Sequence, residues 1–343
     1  MSLIKKLVTG KKLDKTPIWL MRQAGRYLPE YQDIKSKSKS FLEMCYTPEV
    51  AAEITLQPIR RFDFDAAIIF SDILVIPHAL GMDLQFIEKT GPVLSKLSLD
   101  SSKDIDNLQI DSFEKKLKPV YEAIKIVKQS LNKEKDLIGF VGAPWTLFAY
   151  MIEGSGSKNF DRANIALIEN KNESKILIEK LVDAISRHLI NQIEAGATSV
   201  QIFDSWAGEL SPCKYQEVII EPTKKIVENV KSKHKNIPII GFPRGSGFRY
   251  KDYVEQVGVD VLSVDQELPL SWIKENLSNK AVIQGNLDPM ILLEGEKEIS
   301  YQVKNIVKSF GKGRFIFNLG RGVSQKTPIK NVEYLVKAVR EAQ

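Results

Sequence analysis

Pro17-Ile18-Trp19-Leu20-Met21-Arg22-Gln23-Ala24-Gly25-Arg26 is a short apolar run that opens into two arginines four positions apart. In a doubly wound open sheet the first strand usually delivers a glycine-rich turn that wraps a phosphate. That turn is missing here, and the run ends in paired guanidinium groups around a single Gly25. Seven further apolar runs follow: 66–70 (AAIIF), 137–142 (LIGFVG), 199–204 (SVQIFD), 238–242 (PIIGF), 261–265 (VLSVD), 281–285 (AVIQG) and 314–318 (RFIFN). Unbroken runs rich in Ile and Val suit parallel strands covered on both faces. Segments of helical period lie between most of them, as at 116–131, 175–195 and 329–341. Strand and helix alternating eight times, with no Pro/Ser-rich linker, predicts an α/β fold. It is a single (β/α)8 TIM-type barrel, one domain over residues 1–343, with its active site at the C-terminal ends of the strands. The close spacing of runs between 240 and 285 requires short crossovers there, and the Lys-Ser repeat at 35–40 is expected to be a solvated turn.

Composition narrows the function. The chain has 49 basic and 43 acidic residues, a net charge of +6, and only 11 of the basic residues are arginine. Lysine therefore serves general solubility, while arginine, whose rigid fork grips carboxylates and phosphates bidentately, is used sparingly. With no basic block or arginine-rich tail, the charge favours an acidic small-molecule substrate over nucleic acid. Two cysteines, Cys45 and Cys213, fit a reducing compartment and show no metal-ligand spacing. The N-terminus lacks the apolar core of a signal peptide, and no apolar run reaches the roughly 18 residues that span a bilayer. A cytoplasmic protein with no membrane partner is expected.

The positions just after each run form a distinctive set: Arg22 and Arg26, Ser71-Asp72, Gly142-Ala-Pro-Trp145 with Tyr150, Asp204-Ser205-Trp206, Arg244, Asp265, Asn286 with Asp288, and Arg321. Four of the eleven arginines thus fall on one face of the expected barrel. Asp72 lies between apolar stretches, so its carboxylate must be paired, hydrogen-bonded or functional. Asp204, Asp265 and Asp288 have similar settings, and capping of a helix N-terminus explains each of them equally well. A tyrosine bracketed by core residues, like Tyr150, more often packs with a satisfied hydroxyl than takes part in chemistry. Ser205 has no nucleophile elbow around it, and His78, His188 and His234 read as solvated or helix-face histidines. No P-loop occurs. The set holds arginines, an acid, a tyrosine and a serine, so an electron sink has to come from the substrate.

Seven motifs taken together resemble the uroporphyrinogen decarboxylase family: MRQAGRYLPEY (21–31), FSDIL (70–74), GAPWTLFAYMIEG (142–154), QIFDSWAG (201–208), GFPRG (241–245), QGNLDP (284–289) and FNLGRG (317–322). They occur in the family's order and span nearly the whole chain. The resemblance implies a cofactor-free, metal-free homodimer that removes the four acetate carboxylates of uroporphyrinogen III to give coproporphyrinogen III. It implies that Asp72 is catalytic and receives the pyrrole N–H groups. It implies substrate contacts from Arg22, Gln23, Ala24, Gly25, Arg26, Asp72, Tyr150, Ser205 and Arg321. One departure stands out: the family usually carries histidine where this chain has Arg321. Arginine keeps a cation there but effectively never titrates. Two other readings compete. A corrinoid- or thiol-directed methyltransferase of the same barrel superfamily would want zinc on a His-x-Cys pair, and neither cysteine has a histidine two residues before it. A non-catalytic tetrapyrrole binder would have no need of Asp72 together with Arg22 and Arg26.

Overall fold

In the computed structural model, which describes residues 1–342 apart from Lys12, Lys89 and Lys312, the apolar runs become parallel strands. They are β1 (Ala66–Ile68), β4 (Asp136–Gly142), β5 (Ser199–Asp204), β6 (Ile239–Pro243), β7 (Val261–Ser263), β8 (Val282–Leu287) and β9 (Phe315–Leu319), with β2 (Leu84–Ile87) and β3 (Gly91–Leu94) forming a separate antiparallel hairpin. The seven parallel strands pair in the order β1-β4-β5-β6-β7-β8-β9, each joined to the next through helix. Residues 17–21 supply the eighth stave. Ile18 makes a parallel bridge to Phe317. The Phe317 N–H donates to the Pro17 carbonyl at 2.8 Å on one side, and the Asp65 N–H donates to the Ile18 carbonyl at 2.9 Å on the other. The sheet thereby closes on itself, as the alternation of runs predicts. Pro17 has no N–H to add to the ladder, so this stave pairs more thinly than the rest.

A buried carboxylate fixes the closure at the N-terminal end. Asp65, 2% exposed, accepts from the Ile18 N–H at 2.8 Å through Oδ2, from Lys15 at 2.7 Å through Oδ1, and from Arg340 at 2.7 Å. Arg340 lies in the last turn of the helix Ile329–Glu341, whose Val332, Leu335 and Val339 recur at helical spacing and are buried. One side chain thus joins the first stave, β1 and the final helix. The helix Leu3–Val8 plugs the same end. Its Ile4 N–H donates to Asp136 Oδ2 at 2.9 Å, and its Ile4 and Leu7 join the barrel's inner cluster with Trp19, Ile138, Val261 and Val282.

Polarity rises along the inside of the barrel. Two residues on from Val261 and Val282 come Ser263 and Gln284, then Asp265 and Asn286. Gln284 accepts from Trp19 Nε1 at 2.9 Å and donates to Gln201 and Ser263 at 3.2 Å each, so the middle layer is a hydrogen-bonded network. Apolar filling dominates the N-terminal half, although Phe203 and Phe242 continue it near the ends of β5 and β6, and polar groups gather toward the C-terminal ends.

Among the local expectations, one holds and two are refined. The crossovers after β6 and β7 are indeed short, with helices Tyr250–Val257 and Leu270–Asn276. The Lys-Ser stretch is not wholly a turn: residues 35–37 finish the helix Pro29–Lys37, which Pro29 starts and Lys35 and Lys37 favour at its C-terminal end, and Ser40 caps the helix Phe41–Tyr46. His188 is not solvated. It is buried within the helix Lys171–Glu194 with Nδ1 2.9 Å from the Tyr121 hydroxyl, and burial pushes its pKa down to about 3.

Candidate active site

The loop after the first stave is held from below by the loop after β9. Met21 N–H donates to Asn318 Oδ1 at 3.0 Å, and Val323 N–H donates to the Met21 carbonyl at 2.9 Å. Between these anchors Arg22 adopts a left-handed backbone, φ +61°. That conformation costs an L-residue roughly 1–2 kcal/mol, and such outliers collect at functional sites. Gln23 faces inward: its amide accepts from the Leu20 N–H at 3.1 Å and donates to the Ala66 carbonyl at 3.0 Å, while the Tyr27 hydroxyl donates to the Gln23 carbonyl at 2.8 Å. It braces the turn, and Ala24 and Gly25 complete that turn half-buried. Arg22 and Arg26 remain exposed, with their guanidinium groups available for an anion.

Asp72 follows β1. Its Oδ1 accepts from the Leu74 N–H at 2.8 Å, the one hydrogen bond to its carboxylate among the described residues. Protein surrounds it deeply, yet some of its surface still meets solvent. Burial raises its pKa to about 6, and the Leu74 N–H and the Arg22 charge work against that rise. Burial is also the main cause of raised pKa values at Cys45, Tyr46 and Tyr150, and the Asp72 charge adds to all three. Cys45 and Tyr46 from the helix Phe41–Tyr46, and Tyr150 from the helix Pro144–Glu153, therefore lie within electrostatic reach of the carboxylate, and Arg22 acts on both Asp72 and Tyr150.

Tyr150 is 9% exposed and packs edge-on to Trp206, with ring centroids 6.2 Å apart. Phe160 stacks beside both rings, 4.7 Å from Trp206. This aromatic wall adjoins Ser205, which is half-buried in the turn after β5. The preceding residue, Asp204, points the other way. Its Oδ1 accepts from the Thr146 hydroxyl at 2.6 Å in the first turn of the helix Pro144–Glu153, and Thr146 in turn accepts from the Trp206 N–H at 3.3 Å. The Asp204–Thr146 link therefore ties the helix bearing Tyr150 to the turn bearing Ser205. Burial pushes the Asp204 carboxyl up to about 7, and its Oδ2 is enclosed with no hydrogen-bond partner among the described residues.

The other acids are spent on structure. Asp265 accepts from Gly245 N–H at 2.8 Å, Tyr250 hydroxyl at 2.9 Å and Glu267 N–H at 3.0 Å. Asp288 accepts from Met290 N–H at 2.9 Å and lies 3.9 Å from Arg321, both half-exposed. Arg321 thus stands at the mouth beside the Arg22 loop. Among the described residues no three His, Cys, Asp or Glu side chains gather as a metal site.

Two contributors escape a reading by runs and motifs. Cys45 and Tyr46 lie in a short helix far from any strand end, and nothing in their spacing marks them as neighbours of Asp72. The β2–β3 hairpin continues into a segment that docks on the Tyr150 helix, with Leu94 N–H donating to Gly154 at 2.7 Å and Leu97 N–H to Met151 at 2.8 Å. Its four-residue strands are too short to show a period, although Gly91-Pro92 is a turn signal.

A family model described as uroporphyrinogen decarboxylase (URO-D) matches residues 1–342. A protein named uroporphyrinogen decarboxylase from Rickettsia bellii is 48% identical over 332 residues, covering 96% of each chain. Another of that name from a Chelativorans species is 46% identical over 336 residues, covering 98% of this chain and 97% of its own. Among solved structures, a methyltransferase from Methanosarcina mazei superposes with a TM-score of 0.79 at 19% identity, covering 99% of both chains. That likeness shows the shared barrel-like fold alone.

Proposed function

The chain belongs to the uroporphyrinogen decarboxylase family, and on that premise we propose that it decarboxylates the four acetate arms of uroporphyrinogen III to give coproporphyrinogen III. The observation that carries the residue assignment is Asp72: a carboxylate enclosed by protein, nearly free of hydrogen-bond donors, and electrostatically joined to Arg22 and Tyr150. An acetate on an electron-rich pyrrole loses carbon dioxide once the ring carbon next to the one bearing it is protonated. The C–COO⁻ bonding pair moves into the cationic ring as an exocyclic C=CH2, which then takes up a proton to become methyl while the ring carbon releases its own. A fixed carboxylate in a water-poor pocket stabilises that cation as it forms and receives the pyrrole N–H groups. Arg22 and Arg26 bind peripheral carboxylates, Tyr150 and Ser205 hydrogen-bond to others, and Arg321 supplies a further cation. Gln23, Ala24 and Gly25 shape the arginine turn. The ring itself is the electron sink, so the reading calls for no cofactor.

We take the protein to be one barrel domain over 1–343 acting as a cytoplasmic homodimer, as the family resemblance implies. The reducing-compartment cysteine usage and the lack, among the described residues, of any helix long and apolar enough to cross a membrane accord with this. A methyltransferase reading rests on fold likeness alone. The test is anaerobic incubation of the protein with uroporphyrinogen III, followed by chromatography of the oxidised products by carboxylate number. We expect conversion to the tetracarboxylate; an unchanged octacarboxylate would refute the proposal.

A further inference from the structure

Gly322 lies directly beneath the Arg22 side chain. A Cβ built at Gly322 would fall 2.4 Å from Arg22 Cδ, 2.8 Å from Cγ and 3.1 Å from Nε, and these are its three nearest neighbours. The first two are closer than real Cβ contacts come, the third is tight, and none belongs to backbone. Gly322 is not in the left-handed region itself, so its own conformation does not require glycine. What requires glycine is the space. The residues on either side of the contact are fixed as well: Arg22 sits in its left-handed turn between Met21 N–H on Asn318 and the Met21 carbonyl on Val323 N–H, so the backbone cannot retreat to make room.

We propose that Gly322 is a positioning residue for Arg22. The missing side chain leaves a groove across the loop after β9, the arginine stem lies in that groove, and the groove sets the direction of the guanidinium. The inference rests on the reading above, in which Arg22 binds a substrate carboxylate. With a methyl group at 322 the cheapest relief is rotation of the flexible stem, which turns the guanidinium aside and leaves the fold intact. A misplacement of about 1 Å in a binding group can cost up to about 100-fold in rate.

The test is a double-mutant cycle with Gly322→Ala, Arg22→Ala and the pair, each assayed on uroporphyrinogen III and by thermal unfolding. We expect Gly322→Ala to lower kcat/KM by about 10- to 100-fold, chiefly through KM, with an unchanged Tm. In the Arg22→Ala background the same change should alter kcat/KM less than about 2-fold, because contacting residues are non-additive. Should Gly322→Ala alone fail to fold, recovery of folded protein in the Arg22→Ala background would report the same contact. Unaltered kinetics for Gly322→Ala, or an equal loss in both backgrounds, would overturn the inference. Turnover by the unsubstituted protein tests the decarboxylase reading separately, and the stability half of the cycle needs no activity, so the two can fail independently.

Discussion

Four aspartates close the strands of this barrel, and their hydrogen-bond partners differ. Asp265 and Asp288 accept from backbone N–H groups, Asp204 from Thr146, and Asp72 from Leu74 alone among the described residues. Their sequence settings are alike, since each follows an apolar run, so capping and catalysis cannot be separated by pattern. The donor count does not separate them either, since Asp72, Asp204 and Asp288 each accept one hydrogen bond. What marks Asp72 is its enclosure with the Arg22 charge and Tyr150 close by. Asp72→Asn should lower kcat by at least about 100-fold, the scale of a lost preorganised charge, while substrate still binds; a variant with full turnover would contradict the electrostatic role. Because the Asp72 pKa is raised to about 6 and the role needs the ionised form, kcat/KM should fall below an apparent pKa of about 6, and that limb should vanish in the variant. The stability effect has a definite sign. The folded carboxyl holds its proton above the ordinary value of 3.8, so ionising it costs the fold stability as pH rises from about 4 through about 6. Asp72→Asn should therefore raise Tm at pH 7.5 but not at pH 4, and equal shifts at both would contradict this. Arg321→His should retain activity, since the position needs only a donor to a carboxylate; a collapse in rate would show that neighbours such as Asp288 are matched to arginine.

At the level of elements, the parallel staves were legible as apolar runs, and the short hairpin was not. Runs 199–204 and 329–341 coincide with β5 and the last helix because apolar residues recur there at strand and helix spacing. The first stave is legible as an apolar run, yet it pairs by little more than a bridge, because Pro17 offers no N–H and the chain turns sharply at Arg22. The β2–β3 hairpin is hidden by its brevity. The lysines and serines at 35–40 suggest solvent, but Pro29 starts a helix that carries on to Lys37. Closure depends on Asp65, whose removal leaves Lys15, Arg340 and the Ile18 N–H without their acceptor. Loss of one partner from a fully buried pair costs about 3–5 kcal/mol. With Lys15 44% exposed, Asp65→Ala should cost less, about 2 kcal/mol by denaturant unfolding, and should leave kcat unchanged in the folded fraction. A stability within about 0.5 kcal/mol of the parent would show that the stave closes without it.

On the scale of the molecule, the proposed function has the arginines at the mouth acting together on an octacarboxylate. The net charge of +6 adds a weak long-range attraction, and both are screened over about 8–10 Å at physiological salt. KM for uroporphyrinogen should rise steadily between low and high ionic strength while kcat changes little; a salt-independent KM would argue against a cationic mouth. The parts that shape this mouth lie far apart in the chain, Met21 and Asn318 being separated by 297 positions. A ribosome adding about 5–20 residues per second reaches Gly322 some 15–60 s after it has made Arg22. Throughout that interval the arginine exists without its groove, and its turn lacks the anchors on Asn318 and Val323. In the proposed reading, the carboxylate grip is therefore among the last features acquired during synthesis.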